Sequence, residues 1–165
     1  MGENTVMDSA APHSFMKPLF NIELRPATSE DAKLLFDWRN DPDTRSASHN
    51  ADELVFSEHL RWLASTLSNS KRKLYIAFLD GMPIGTVRAD GDDVGYKLSW
   101  TIAPQSRAKG LGSAMVIALA RMLRAPVRAE IKKENTPSIK IAEAAGMRFH
   151  HEENGVMHFR SSPGG

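Results

Sequence analysis

Arg107-Ala108-Lys109-Gly110-Leu111-Gly112 lies between two apolar runs, Leu98 to Ala103 and Leu111 to Leu123. That context reads as strand, loop and helix, with two glycines where the helix begins. A helix start leaves backbone N–H groups unpaired and carries the positive end of the helix dipole. Glycine has no Cβ, so the backbone there can approach an anion closely. The junction therefore constrains the chain to a mixed α/β arrangement in which one helix N-terminus is a seat for a phosphate or pyrophosphate.

The rest of the chain fits around that junction. Phe20 to Leu24 alternates apolar and polar residues, which predicts a first strand. Thr28-Ser29-Glu30-Asp31 opens a helix with a capping hydroxyl, and Leu34, Leu35 and Trp38 share one of its faces. Pro42 disfavours helical geometry at Asp41, so this helix stops near Asn40. Asp43 to Asp52 is polar and reads as irregular. A second helix starts near Ser57, with Leu60, Leu63 and Leu67 at helical spacing; Trp38 and Leu60 read as core.

Lys73–Leu79 and Ile84–Ala89 read as strands joined by a hairpin through Asp80-Gly81-Met82-Pro83. Gly95–Ala103 is a third long strand. The glycine-opened helix ends near Arg124, and Val127–Ile131 is a short strand. Thr136–Ala145 is a helix with Pro137 in its first turn and Gly146 at its C′ position. Met147–Phe149 and Val156–Phe159 are the last strands. The order βααβββαβαββ predicts one α+β (mixed α/β) domain over residues 19–160, after a mobile segment 1–18 and before a tail 161–165.

Composition narrows the function classes. The 165 residues include no cysteine, which excludes a disulfide scaffold, a thiolate zinc site and a catalytic thiol. No metal-ligating set is read from the sequence. No stretch approaches the ~20 apolar residues of a membrane helix, and the first residues lack the blocks of a signal peptide. A cytoplasmic protein with no membrane partner is expected. From Gln105 to Asn135 there are seven bases against two acids, although the whole chain carries only +1. This is either a set of solvated element ends or an attraction for an anionic cofactor. Aromatics do not interleave with these bases, so nucleic acid is not the expected partner.

A glycine pair alone does not identify the anion. A dinucleotide fold needs a longer fingerprint at its first strand, and a triphosphate loop needs Gly-Lys-Ser/Thr; here Ser113 and Ala114 follow Gly112. The stretch Arg107 to Gly112 does resemble the Arg/Gln-x-x-Gly-x-Gly/Ala signature of the GNAT superfamily of N-acetyltransferases. Asn135-Thr136-Pro137-Ser138, a short helix and Gly146-Met147-Arg148-Phe149 resemble that family's second signature, with Gly-Met where Gly-Phe is usual. Leu24-Arg25-Pro26-Ala27, Asp31-Ala32 and Trp38-Arg39-Asn40 are similar to the family's opening. The resemblance spans about Phe20 to Arg160.

The resemblance implies a mostly antiparallel twisted sheet with one splayed parallel strand pair, about four helices, and acetyl-CoA as cofactor. It implies that the backbone of Trp100, Thr101 and Ile102 pairs with the pantetheine arm, the two side chains of Trp100 and Ile102 being core. The N–H groups of Arg107, Ala108, Lys109, Gly110, Leu111, Gly112 and Ser113 would hold the pyrophosphate. Asn135 would contact the cofactor arm, cap the next helix, or do both.

The implied reaction is attack of a free amine on a thioester. An alkylammonium has a pKa near 10 and must first lose a proton. Glu130 is the candidate base; its alternative is a strand carboxylate paired with Arg128 or Lys132. Many family members carry a tyrosine acid on the last helix, where this chain has Ala142. Ser138 is the candidate replacement, resembling the ribosomal-protein acetyltransferase branch; its alternative is a first-turn helix hydroxyl. Arg39, Asn40, Arg45, His49, Glu58 and His59 are acceptor-side candidates, the arginines for a phosphate or carboxylate and the histidines as relays or as inert surface groups. The Trp38-Arg39-Asn40-Asp41 and Glu58 to Leu63 stretches resemble acetyltransferases of nucleotide-linked amino sugars. The expected acceptor is thus a small-molecule primary amine, against two alternatives: a protein N-terminal amine, or no turnover in an acyl-CoA-binding module. A monomer or a homodimer is expected.

Overall fold

The computed structural model describes residues 20–161. The mobile segment expected over 1–18 and all but the first residue of the expected tail lie outside those residues. The elements run β1 (Ile22–Pro26), α1 (Ala32–Arg39), α2 (Pro42–Ala47), α3 (Phe56–Ser68), β2 (Arg72–Leu79), β3 (Met82–Gly91), β4 (Tyr96–Ile102), α4 (Leu111–Leu123), β5 (Val127–Lys132), α5 (Thr136–Ala144), β6 (Met147–Glu153) and β7 (Val156–Ser161). Single 3-10 turns at Ser29–Asp31 and Pro104–Ser106 precede α1 and the glycine loop.

All seven strands form one sheet in the order β1-β2-β3-β4-β5-β7-β6. Every neighbouring pair is antiparallel except β4 and β5. Strand alternation gives the sheet two faces. On one face Val87, Leu98, Ala129, Ile131 and Phe159 pack under α4 (Met115, Val116, Leu119) and α5 (Ile141, Ala142). On the other, Leu74 and Ile76 pack under α1 and α3 through Leu35, Trp38 and Leu63.

The structure corrects the sequence reading in three places. Asp43–Asp52 is not wholly irregular: Asp41 caps Thr44 N–H at 3.1 Å and Pro42 occupies the first turn, so Pro42–Ala47 forms α2. Pro42 ends one helix and starts the next, and the described residues hold five α-helices rather than about four. Leu60, expected in the core, is 43% exposed, and the buried face of α3 is His59, Leu63 and Thr66. Trp38 is buried as expected. The Asp80–Gly81 turn and Gly146, at φ +89° after α5, sit where turn chemistry places them.

Candidate active site

The parallel pairing of β4 with β5 lasts for two registers, Tyr96↔Val127 and Lys97↔Arg128, and then stops. Beyond Lys97 the edge of β4 facing β5 has no strand partner among the described residues, and Trp100, Thr101 and Ile102 line a cavity of about 680 Å³. Unpaired strand backbone in a cleft is a template for a ligand able to accept and donate hydrogen bonds like a strand. The opposite wall carries Glu130, Ile131, Asn135, Pro137 and Ser138 from β5 and the start of α5.

The end of the cleft is the glycine loop. Gly110 is the residue before α4, at φ +76°, and no side chain among the described residues caps the helix start. Ala108 is also left-handed, at φ +60°. A left-handed turn leading into an uncapped helix turns successive N–H groups towards one point, as a nest for an anion does. The two glycines do different things, which the sequence reading had not separated. Gly110 supplies a turn geometry. A Cβ at Gly112 would come within 2.5 Å of Ile102 Cδ1 and 2.6 Å of Ile141 Cδ1, so Gly112 lets α4 pack against β4 and α5. Leu111 is core, 5% exposed, so only its backbone can face the seat.

Arg107 is engaged within the protein: its N–H, expected at the pyrophosphate, donates to the Pro104 carbonyl at 3.4 Å, and its side chain is held by α2. Its Nη2 donates to Asp41 Oδ2 at 2.6 Å and to Thr44 Oγ1 at 2.9 Å. Lys132, at the end of β5, donates to the Ser46 carbonyl at 3.2 Å. α2 therefore runs as a strap from the loop after β4 to the end of β5, and its Thr44, Arg45 and Ala47 line the cavity. Lys109 is exposed on the glycine loop.

Trp100 packs against the first core layer, as read from sequence, yet its indole N–H donates to Ser138 Oγ at 3.3 Å. Asn135 caps α5 by accepting from the Ser138 N–H at 3.3 Å. Ala142 is fully buried one turn further on, so Ser138 is the α5 hydroxyl at the cleft. Glu130 faces the cleft but does not pair with Arg128 or Lys132. Arg128 goes to Asp92, and Glu130 lies 3.5 Å from Lys97 Nζ and 3.7 Å from His158 Nδ1.

The acceptor-side candidates divide. Arg39, Arg45 and His49 line the cavity. His59 does not: it is 2% exposed, with Nε2 2.8 Å from the Ala32 carbonyl and Nδ1 3.0 Å from Arg39 Nη1. It holds Arg39 over the Trp62 ring, 3.9 Å from its centroid. Burial, then the neighbouring Arg39 charge, push the His59 pKa down, so the ring is held neutral. Burial and then Arg88 lower the Arg39 pKa, marking a crowded cationic wall. Asn40 is also structural, its Oδ1 accepting from Leu54 N–H at 3.0 Å. Sequence reasoning missed Arg88 and Lys97 in this wall. Their signal was present: each interrupts an apolar strand on the face opposite Val87 and Leu98.

The sequence matches the family model described as the acetyltransferase (GNAT) domain over residues 21–148. The chain belongs to this family. As a GNAT enzyme it is an acyltransferase with acetyl-CoA as donor, and the free β4 edge and uncapped α4 start are the features that fit such a donor. Among curated relatives, acetyltransferase PseH of Campylobacter jejuni is 24% identical over 136 residues in strain 81-176, covering 79% of this chain and 85% of that one. In serotype O:2 the match is 36% over 59 residues, 36% of this chain and 37% of that protein. The fold is shared with aminoglycoside acetyltransferase AAC(6')-Ib in complex with coenzyme A, at TM-score 0.74 and 20% identity, covering 86% of this chain and 95% of that one. It is shared too with Campylobacter jejuni PseH in complex with acetyl coenzyme A, at TM-score 0.66 and 19% identity, covering 85% and 97%. Among the described residues no helix is long and apolar enough to cross a membrane.

Proposed function

We propose that the enzyme acetylates the primary amine of a small anionic acceptor, a nucleotide-linked amino sugar being the favoured class. One observation carries this reading. Arg45 lines the cavity with its Nε buried and without a hydrogen-bond partner among the described residues, and Arg39, Arg88 and Lys97 line the same cavity. An unpaired buried donor costs ~1–3 kcal/mol, and an anionic group on the acceptor would supply the missing partner. The Trp38 to Asp41 and Glu58 to Leu63 stretches, which resemble acetyltransferases of nucleotide-linked amino sugars, support the same class. The α2 strap forms one wall of the cavity through Thr44, Arg45 and Ala47, which favours a small molecule over a peptide N-terminus.

Trp100, Thr101, Ile102 and Asn135 would hold the arm of acetyl-CoA and the N–H groups of residues 108–113 its pyrophosphate, the Arg107 N–H being donated to the Pro104 carbonyl, and the bound donor would supply the acetyl thioester. The chain's residues then divide the work. Backbone N–H groups of β4 polarise the reacting carbonyl oxygen. Glu130 takes the ammonium proton so that the amine can attack. Ser138 Oγ presents a proton towards the leaving sulfur. The Trp100 N–H bonded to that oxygen leaves the hydroxyl hydrogen to point elsewhere and stabilises the oxygen as it gives up the proton. Arg39, Arg45 and His49 orient the acceptor.

A thiol-release screen with acetyl-CoA tests this against amino-sugar nucleotides, N-terminal peptides and polyamines. Turnover should be highest with an amino-sugar nucleotide. Arg45→Ala should raise its KM more than that of an uncharged amino sugar. A peptide as best acceptor would replace this reading, and tight acetyl-CoA binding without turnover across the panel would support a binding module instead.

A further inference from the structure

On the sheet face opposite α5, strand register sets Glu130, His158 and His151 side by side across three adjacent strands. Glu130 is opposite His158 between β5 and β7, and His158 is opposite His151 between β7 and β6. A register shift in β6 between Phe149 and His151 makes this possible. Without it the two-residue alternation that buries Phe159 and turns His158 outward would not bring His151 to the same face. The His151 and His158 rings stack with centroids 4.2 Å apart. Glu153 lies two residues along β6 on that face, its Oε2 3.9 Å from His151 Nε2. One ring nitrogen from each histidine and one carboxylate oxygen of Glu153 lie within 4.8 Å of one another.

We propose that His151, His158 and Glu153 bind one divalent transition-metal ion of the zinc class. Two imidazoles and a carboxylate, with no thiolate, suit Zn²⁺, Co²⁺ or Ni²⁺ rather than Mg²⁺ or Ca²⁺, which want oxygen alone. Bond lengths near 2.0–2.2 Å to N and O require the three groups to close inward. Their exposure leaves room for that: 39% for His151, 67% for Glu153 and 21% for His158. His158 turns Nδ1 towards Glu130 Oε1 at 3.7 Å, so its other ring nitrogen is the one left for the ion. A carboxylate behind a ligating imidazole fixes its tautomer and raises its basicity. Three protein ligands leave a further position for water. The site adjoins the catalytic cleft through Glu130 but is built from residues that do not line it.

Tag-free protein stripped of metal is titrated with zinc chloride by calorimetry and with cobalt(II) by visible absorption, with no acetyl donor or acceptor present. One ion per chain is expected, with the intense cobalt bands of a four-coordinate site. His151→Ala and His158→Ala should abolish binding, and Glu130→Gln should weaken it by about 10-fold, the lower end for losing a supporting carboxylate. The wild-type melting temperature should rise with zinc concentration, as expected for a ligand of the native state, while that of His158→Ala stays flat. Equal zinc affinity in wild type, His151→Ala and His158→Ala overturns the site. So does binding that survives those changes and disappears in His49→Ala. Because no turnover is measured, failure here leaves the acetyl-transfer reading untouched.

Discussion

Arg107 Nη2 and Asp41 Oδ2 meet at 2.6 Å and join the loop before α4 to the first turn of α2. In the proposed function the loop holds the donor's pyrophosphate and α2 borders the acceptor end, so one ion pair would couple the two halves of the cleft. The Arg107 hydrogen bond, opposed by partial burial and helped by the Thr44 N–H, holds the Asp41 carboxyl below its usual pKa. A carboxyl with a depressed folded-state pKa contributes stability that is complete above its unfolded value, ~3.9. That contribution is lost as pH falls through the lower folded value. The pair is partly exposed, so its worth is on the order of 1 kcal/mol. Arg107→Ala should therefore leave the fold intact, raise KM for the acceptor several-fold and lower kcat less. Steady-state kinetics with both substrates varied check this. An unchanged acceptor KM would show that the strap is not held by Arg107.

The two loop glycines should fail differently. Gly110→Ala must place a Cβ at φ +76° with nothing closer than Phe20 at 3.8 Å, a conformational cost of about 1 kcal/mol. Gly112→Val must displace Ile102 and Ile141, whose Cδ1 atoms stand 2.5 and 2.6 Å from the new Cβ. Overpacking of that kind costs about 3 kcal/mol at its upper end. Urea unfolding of both variants should rank them in this order, with unchanged m-values.

Much of this arrangement was legible because it is local. The strand–glycine–helix junction, the Asn135 cap, Pro137 in the first turn of α5 and Gly146 after it all follow from residues a few positions apart. What the sequence hid depends on register or tertiary pairing. Pro42 reads as a helix stop, and only the Asp41–Thr44 cap shows that a new helix starts there. His59 reads as a surface relay because its partners, Ala32 and Arg39, lie a whole element away. Arg88 and Lys97 look like ordinary strand charges until strand pairing turns them to the cleft. The His151–His158 pair needs both a cross-strand register and a bulge, and neither leaves a mark in the sequence.

Trp100 and Ser138 provide a test of the acid. Ser138→Ala should lower kcat about 100-fold, at the low end of general acid–base catalysis, with little change in acetyl-CoA affinity. Trp100→Phe removes the N–H but keeps most of the apolar ring and should cost less. If the indole acts through Ser138, the double variant should be no worse than Ser138→Ala alone, since the residues share one interaction. Additive losses would mean that Trp100 acts through packing.

Glu130→Gln keeps the shape of the side chain and removes its proton-accepting charge. With the best amine acceptor, kcat/KM near neutral pH should fall about 100-fold, and the loss should shrink as pH rises and more of the acceptor is already a free amine. Lys97→Met, which removes a cavity-lining cation 3.5 Å from Glu130, should raise KM for an anionic acceptor without abolishing activity. A Glu130→Gln rate equal to wild type across the pH range would remove Glu130 from the chemistry.

His59 gives the fold its own pH dependence. Burial and the Arg39 charge make the folded-state pKa lower than the unfolded value of ~6.5. Between those two values the unfolded chain binds a proton that the folded chain refuses, so stability rises with pH in that window and falls as the solution is acidified through it. Urea midpoints measured from about pH 7 down to about pH 5 should therefore decline in the wild type. His59→Gln keeps a group able to bond the Ala32 carbonyl but cannot titrate. It should be less stable at neutral pH, by about 1–3 kcal/mol for a disturbed buried polar contact, and its midpoint should decline less steeply. A wild-type slope matched by His59→Gln would assign the acid sensitivity to other groups.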